Sequence, residues 1–338
     1  MSISIGNIKT RNNVFLAPMS GVTDEPFRQA AHDAGAGLVV SEMVASEELV
    51  HQRKDMMRRA KGATKITPFV IQLAGREAHW MAEGAKVAEE MGADIIDINM
   101  GCPARQVTGG LSGSALMRNL DHALTLIEAT VAAVAVPVTL KMRLGWDDNS
   151  QNAPELAKRA QAAGVALITV HGRTRCQFYT GKADWQAIRA VREQINIPLI
   201  ANGDCGSVDD ARQMMQLSGA DGVMIGRGAY GRPWWPGHIA EGLNPGSGAL
   251  APGLSRMMNV VLCQQQDTLH LYGAELGNKT FRKHIGWTTL RLFNQNYFDE
   301  AKLLELRGTI LSEVRNEKVT ELIKKMFQLC EKTESLAA

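Results

Sequence analysis

The chain has 338 residues, 45% of them hydrophobic and 21% charged, with a formal net charge of +2. That is the composition of a globular protein with a large core, and it excludes a disordered or fibrous chain. The apolar stretch ALTLIEATVAAVAVPVTL is interrupted by Glu128 and Pro137, the opening MSISIGNIKTRNN lacks an apolar signal core, and the five cysteines contain no CxxC pair. A cytoplasmic protein without membrane span, disulfide framework or metal site is therefore expected, taken as a monomer.

Eight short apolar runs follow one another: VFLAPM (14–19), LVVSEM (38–43), PFVIQLAG (68–75), DIIDINMGC (94–102), PVTLKMR (137–143), LITVHGR (167–173), PLIANGD (198–204) and GVMIGRG (222–228). Segments rich in Ala, Glu and Lys separate them, and several of these end in Gly-Ala, as at 35–37, 92–94 and 219–221. A glycine there closes a helix without steric cost. Runs that are apolar throughout read as parallel strands buried on both faces. Eight strand–helix units predict an α/β fold, a (β/α)8 TIM barrel over residues 1–243.

Every run ends in polar or special residues: Met19, Glu42, Gln72, Asn99 with Cys102, Lys141 with Arg143, His171 with Arg173, Asn202 with Asp204, and Gly226 with Arg227. Any one of them reads equally well as a loop residue, but at the carboxyl ends of barrel strands all would meet at one mouth. The NGD and GRG ends of strands seven and eight suit a ligand phosphate, since glycine admits close backbone approach and Arg227 carries a permanent charge. GRGAYG (226–231) also matches GxGxxG, but RPWWPG and no further strand follow it, so a dinucleotide fold is not expected. Lys141 has three candidate roles, a structural ion-pair partner, a Schiff-base nucleophile as in some barrel lyases, or a cation beside an electron-rich cofactor, so lyase and flavoenzyme both stay open.

These residues resemble a known family. APMSGVTDEPFR (17–28), SEM (41–43), INMGCPARQV (98–107), GSALM (113–117), TLKMRLGW (139–146), VHGRT (170–174), IANGD (200–204), MIGRG (224–228) and FRKHIGW (281–287) are similar to the bacterial tRNA-dihydrouridine synthases, most of all the B-type branch. The resemblance implies a flavin mononucleotide (FMN) enzyme that uses NADPH to reduce the C5–C6 bond of a D-loop uridine in tRNA. It places Pro18, Met19 and Ser20 along the flavin, and Gln72, Lys141 and His171 on its ring. Asn202, Gly203, Asp204, Gly226 and Arg227 would hold ribityl and phosphate, with Asn99, Arg143 and Arg173 on the substrate side. Flavin N5 would deliver hydride to C6 and Cys102 would protonate C5, an apt role for a thiol, which is mostly protonated at neutral pH. Many relatives carry basic residues just after the cysteine, where this chain has TGG (108–110), so no lysine contact to RNA is expected from that loop.

Beyond the barrel, residues 244–253 read as a Gly/Pro/Ser linker and 254–338 as a small all-α domain that binds tRNA. Val319, Leu322, Ile323, Met326 and Phe327 form one apolar stripe at helical spacing. The tail is only mildly basic, and its dense cluster, Lys279, Arg282, Lys283 and His284 with Trp287, suits phosphates and a stacked base.

Overall fold

All eight apolar runs become strands, each parallel to its neighbours, in a computed structural model that describes residues 1–61, 66–246, 253–293 and 300–337. The barrel strands are β1 (Val14–Leu16), β2 (Leu38–Val39, resumed at Val44–Ala45), β3 (Val70–Ala74), β4 (Ile95–Met100), β5 (Val138–Arg143), β6 (Leu167–His171), β7 (Leu199–Asn202) and β8 (Gly222–Ile225). β8 pairs with β1, the first piece of β2 with β1, and the second piece with β3, so the ring closes through a broken strand. The break has a local cause. The Ser41 hydroxyl accepts the Gln72 N–H at 2.9 Å in place of a backbone carbonyl, and beside it the Glu42 carboxylate accepts the N–H of Gly21 in the first loop.

Alternation along the strands sorts the side chains. Phe15, Leu38, Val70, Ile95, Leu167, Ile200 and Met224 face inward and fill the lower barrel. An N-terminal hairpin missed by the sequence reading, Ser4–Ile5 with Ile8–Lys9, adds Ile3 and Ile5 to that cluster. Alternate residues such as Leu16, Ile71, Ile96, Leu140 and Val170 face outward into the core under the helices. The glycines expected at helix ends, Gly35, Gly92 and Gly219, have φ of 101°, 89° and 68°, the left-handed region that favours glycine.

Among the described residues four helices form the tail: Leu254–Tyr272, Ala274–Phe293, Glu300–Ser312 and Asn316–Ala337. Val319, Ile323, Met326 and Phe327 of the expected stripe are buried against Val261, Phe281 and Ile285, with Leu322 packed alongside. The tail has its own apolar cluster and is seated on the barrel through Trp234, which belongs to it. At Gly231 a Cβ would lie 2.3 Å from the backbone nitrogen of Thr288, whose hydroxyl donates to the Gly231 carbonyl at 2.8 Å. Only glycine permits that approach. Most of the expected linker, 247–252, lies outside the described residues. Among the described residues no helix is long and apolar enough to cross a membrane, and no cluster of His, Cys, Asp or Glu could hold a metal.

Candidate active site

The strand register puts the polar ends on the inner face in short stepped rows. Asn99 is level with Lys141, Arg143 with His171, and His171 with Asn202. Above them opens a cavity of about 1640 Å³. It is lined by Pro18, Met19, Ser20, Gln72, Asn99, Cys102, Lys141, Arg143, His171, Asn202, Gly203, Asp204, Gly226 and Arg227, all sequence candidates.

A chain of hydrogen bonds climbs from the barrel floor to Cys102. Asp97 accepts from Thr139 Oγ1 and from Gln72 Nε2, both at 2.6 Å. Gln72 Oε1 then accepts from Asn99 Nδ2 at 2.7 Å, and Asn99 Oδ1 accepts the backbone N–H groups of Gly101 and Cys102 at 3.2 and 3.0 Å. Burial holds the Asp97 carboxyl above the usual carboxylate range, and as the acceptor of both bonds it sets which way both amides point. Asp97 and Thr139 are not among the sequence candidates. Their spacing of two from Asn99 and Lys141 was the available signal. The Cys102 carbonyl in turn accepts from Ser114 N (3.1 Å) and Oγ (2.8 Å), which pins both ends of the cysteine's backbone.

Lys141 Nζ donates to Asn202 Oδ1 at 3.1 Å, and Asn202 Nδ2 to the Met224 carbonyl at 2.7 Å. Burial, and then the neighbouring Arg143, hold the Lys141 ammonium down at about 8. Arg143 is itself pushed down to about 10 by burial, and is stapled to the carbonyls of Gly101, Thr174 and Phe178 at 2.8–2.9 Å. His171 lies well below its ordinary value, through burial and the cations around it, so it is neutral at physiological pH.

Arg173 departs from its expected position on the substrate side. It is 1% exposed and does not line the cavity. It grips both carboxylate oxygens of Asp204 and the carbonyls of Thr180 and Gly181. The Asp204 carboxylate also takes Ala183 N and the Arg227 guanidinium, at 2.8 and 3.1 Å. Arg227 is exposed and lies over Tyr179. Gly203 has φ 121°, and a Cβ there would strike Ala183 and His171 at 2.7 and 2.8 Å. A Cβ on Gly226 would meet only ordinary contacts at 3.8 Å or more, so its absence leaves open space at that end of the cavity.

The loop after Cys102 forms a short helix, Arg105–Thr108. Arg175, from beyond β6, reaches Thr108 Oγ1 at 3.3 Å and stacks on Trp146 and Phe178. A cation therefore reaches the TGG segment from another loop.

The tail cluster is more divided than its sequence suggests. Lys279 pairs with Glu275 at 2.7 Å, while Arg282 donates to Asn278 Oδ1 and to the Glu313 carbonyl. His284 is 2% exposed, and neither ring nitrogen has a hydrogen-bond partner. Burial, then Lys283, hold it down at about 3, so it is a neutral core residue rather than a phosphate ligand. Trp287 is stacked on Tyr230 at 4.2 Å. The cavity does not include Lys279, Arg282 or Lys283, but it does include Arg232 and Arg291, which the sequence did not single out.

Comparison with known proteins decides the kinship of this site. The family model described as Dihydrouridine synthase matches residues 15–324. The chain belongs to the dihydrouridine synthase family. It is 58% identical over 280 residues to a probable tRNA-dihydrouridine synthase of Rhizobium leguminosarum, covering 83% of this chain and 86% of that one. A probable tRNA-dihydrouridine synthase of Rhodobacter capsulatus is 51% identical over 93% of this chain and 99% of its own. A tRNA-dihydrouridine synthase B of Pseudomonas putida is 44% identical over 85% of each. Among solved structures, histamine dehydrogenase from Rhizobium sp. 4-9 superposes with a TM-score of 0.57 at 15% identity, over 83% of this chain and 50% of that one. Morphinone reductase gives 0.51 at 15% identity, over 73% and 93%. At that identity the likeness is one of fold, the TIM barrel. Membership makes the chain an enzyme of a flavin-dependent oxidoreductase family.

Proposed function

We propose that this enzyme reduces the C5–C6 double bond of a D-loop uridine in tRNA to 5,6-dihydrouridine, with FMN bound in the barrel mouth and NADPH as reductant. The observation that carries it is the meeting, in one cavity, of a backbone-pinned Cys102, the inward row Asn99, Lys141, Arg143 and His171, and the glycine ends of β7 and β8 beside Arg227. The donor set fits a flavin. Gln72, Lys141 and neutral His171 offer hydrogen bonds to a flat heterocycle, Lys141 is a cation where reduced flavin carries negative charge, and Gly226 with Arg227 leaves room and charge for a phosphate. Pro18, Met19 and Ser20 would border the ring, and Asn202, Gly203 and Asp204 the ribityl chain. Arg173, buried behind Asp204, would act by holding that carboxylate.

A flavin held by Gln72, Lys141 and His171 would supply the hydride. The chain's own part is the proton. Cys102 would give its thiol proton to C5 from the opposite side and be left as a thiolate, to be reprotonated from water. Lys141 and Arg143 lie close enough for their charges to couple to Cys102 and would steady that thiolate. Asn99 and Arg143 would orient the uracil. The base must leave the RNA fold to reach them.

Residues 254–338 would add to the affinity for tRNA, with Lys279 and Lys283 facing phosphates, after a linker at 244–253. The test is an absorbance spectrum of the purified protein, followed by unmodified tRNA added to its reduced form. A yellow protein reoxidised by tRNA with formation of dihydrouridine is expected. A colourless preparation that flavin cannot reconstitute would sink the proposal.

A further inference from the structure

Two arginines at the seam between barrel and tail have no part in the chemistry above. Arg232 follows the end of β8, and its guanidinium lies 3.4 Å above the centre of the Trp235 ring. Its Nε donates to the Gly228 carbonyl at 2.7 Å and a terminal nitrogen to the Gly206 carbonyl at 3.4 Å. Arg291 comes from the second tail helix and donates its Nε to the Tyr230 carbonyl at 3.3 Å. Both line the cavity. Among the described residues, the hydrogen bonds of both go to backbone carbonyls and neither has a carboxylate partner.

Two half-buried cations side by side repel one another. Burial and the Arg291 charge together bring Arg232 down to about 9, so the pair carries an electrostatic cost that an anion would relieve. A guanidinium fixed at one edge and lining a cavity is suited to donate to phosphate oxygens.

We propose that Arg232 and Arg291 form a binding site for a backbone phosphate of the RNA, close to the nucleotide whose base enters the mouth, an assignment that rests on the tRNA-reducing activity proposed above. The cofactor's single phosphate already has a place beside Gly226 and Arg227. A polynucleotide brings one phosphate per nucleotide, so a second site at the cavity edge falls to the substrate. Since Arg291 belongs to the tail, the site exists only while tail and barrel are docked. The Tyr230–Trp287 stack, which shares Tyr230 with the cavity lining, holds the two parts together beside it.

The experiment compares full-length Arg291→Gln and Arg291→Lys with the unaltered protein for binding of unmodified tRNA across a salt series. Flavin content and the KM for NADPH are measured on the same preparations. The Gln variant is expected to bind tRNA about tenfold more weakly, the order of a lost charged hydrogen bond. Its log–log salt slope should be flatter by roughly 0.7–0.9, the value of one phosphate contact. The Lys variant keeps the charge and should restore the slope. Unchanged affinity and slope in the Gln variant would overturn the site. Loss of flavin would also overturn it, giving the pair to the cofactor phosphate, and so would a raised NADPH KM with an unaltered tRNA slope. Unaltered protein that binds tRNA but never forms dihydrouridine would refute the activity alone, with the salt slopes still judging the site.

Discussion

The barrel mouth and the helical tail handle charge in opposite ways. In the mouth, Lys141, Arg143 and Arg232 are buried or half-buried and held by backbone carbonyls or amide oxygens rather than carboxylates. On the outer surface of the tail, cations are answered locally, Lys279 by Glu275, Arg315 by Glu313 and Lys318 by Glu321. Such exposed pairs contribute little to stability, whereas uncompensated cations in a half-buried cavity are a standing field for an anion. Formal charge therefore misleads as a guide to where a polyanion binds. The barrel sums to zero and the tail to +2, yet the mouth holds the poised cations.

The largest effect that tests this contrast is at Cys102. Cys102→Ala should retain flavin but lose about 100- to 10,000-fold in dihydrouridine formation, the worth of a general acid. Product formation at the normal rate would reduce Cys102 to a lining residue. Next comes Arg227→Ala. A charge-assisted phosphate contact is worth roughly 1.5–3 kcal/mol, so equilibrium dialysis should find flavin held roughly ten- to a hundredfold more weakly. Unaltered flavin affinity would move the phosphate elsewhere in the cavity.

A third test probes the tail through His284, whose folded value of about 3 lies below its ordinary 6.5. As pH falls below 6.5 the unfolded chain takes up a proton that the folded chain refuses, so stability falls on acidification. Asp24, held up at about 6 by burial, works in the opposite sense and protonates first in the folded state. Comparison with His284→Leu cancels that contribution. Between pH 7 and 5 the unaltered protein should lose about 2 kcal/mol relative to the variant, from 1.36 kcal/mol per unit. Urea midpoints at the two pH values measure it, and parallel losses would show that His284 is not the neutral core residue described. The smallest effect is expected of the triple alanine variant at Lys279, Arg282 and Lys283. Arg282 is tied to Asn278 and Glu313, so only the two lysines should count. The slope of tRNA affinity against salt should flatten by roughly 0.7–0.9 per contact. A larger change would make the tail the main RNA surface and reverse the ranking of the two regions.

The strands were legible because a barrel strand buried on both faces must be apolar, and its polar residues then collect at one end. The same logic exposed Gln72, Asn99, Lys141, Arg143, His171 and Asn202, since period-two alternation turns all of them inward once the register is set. Kinship to the dihydrouridine synthases was likewise written in short local motifs.

What the linear order could not carry were relations between segments. Arg173 looks like a mouth residue beside His171, yet only packing shows it withdrawn onto Asp204. His284 reads as part of a basic cluster, and only its seat between Phe27 and Trp287 makes it neutral. Arg291 has no local signal, because its neighbour Arg232 lies 59 positions earlier. Strand polarity depends on burial repeated every two residues, which a sequence displays directly. The charge state of a side chain depends on what faces it across space, and that is decided only when the tail helices close on the barrel.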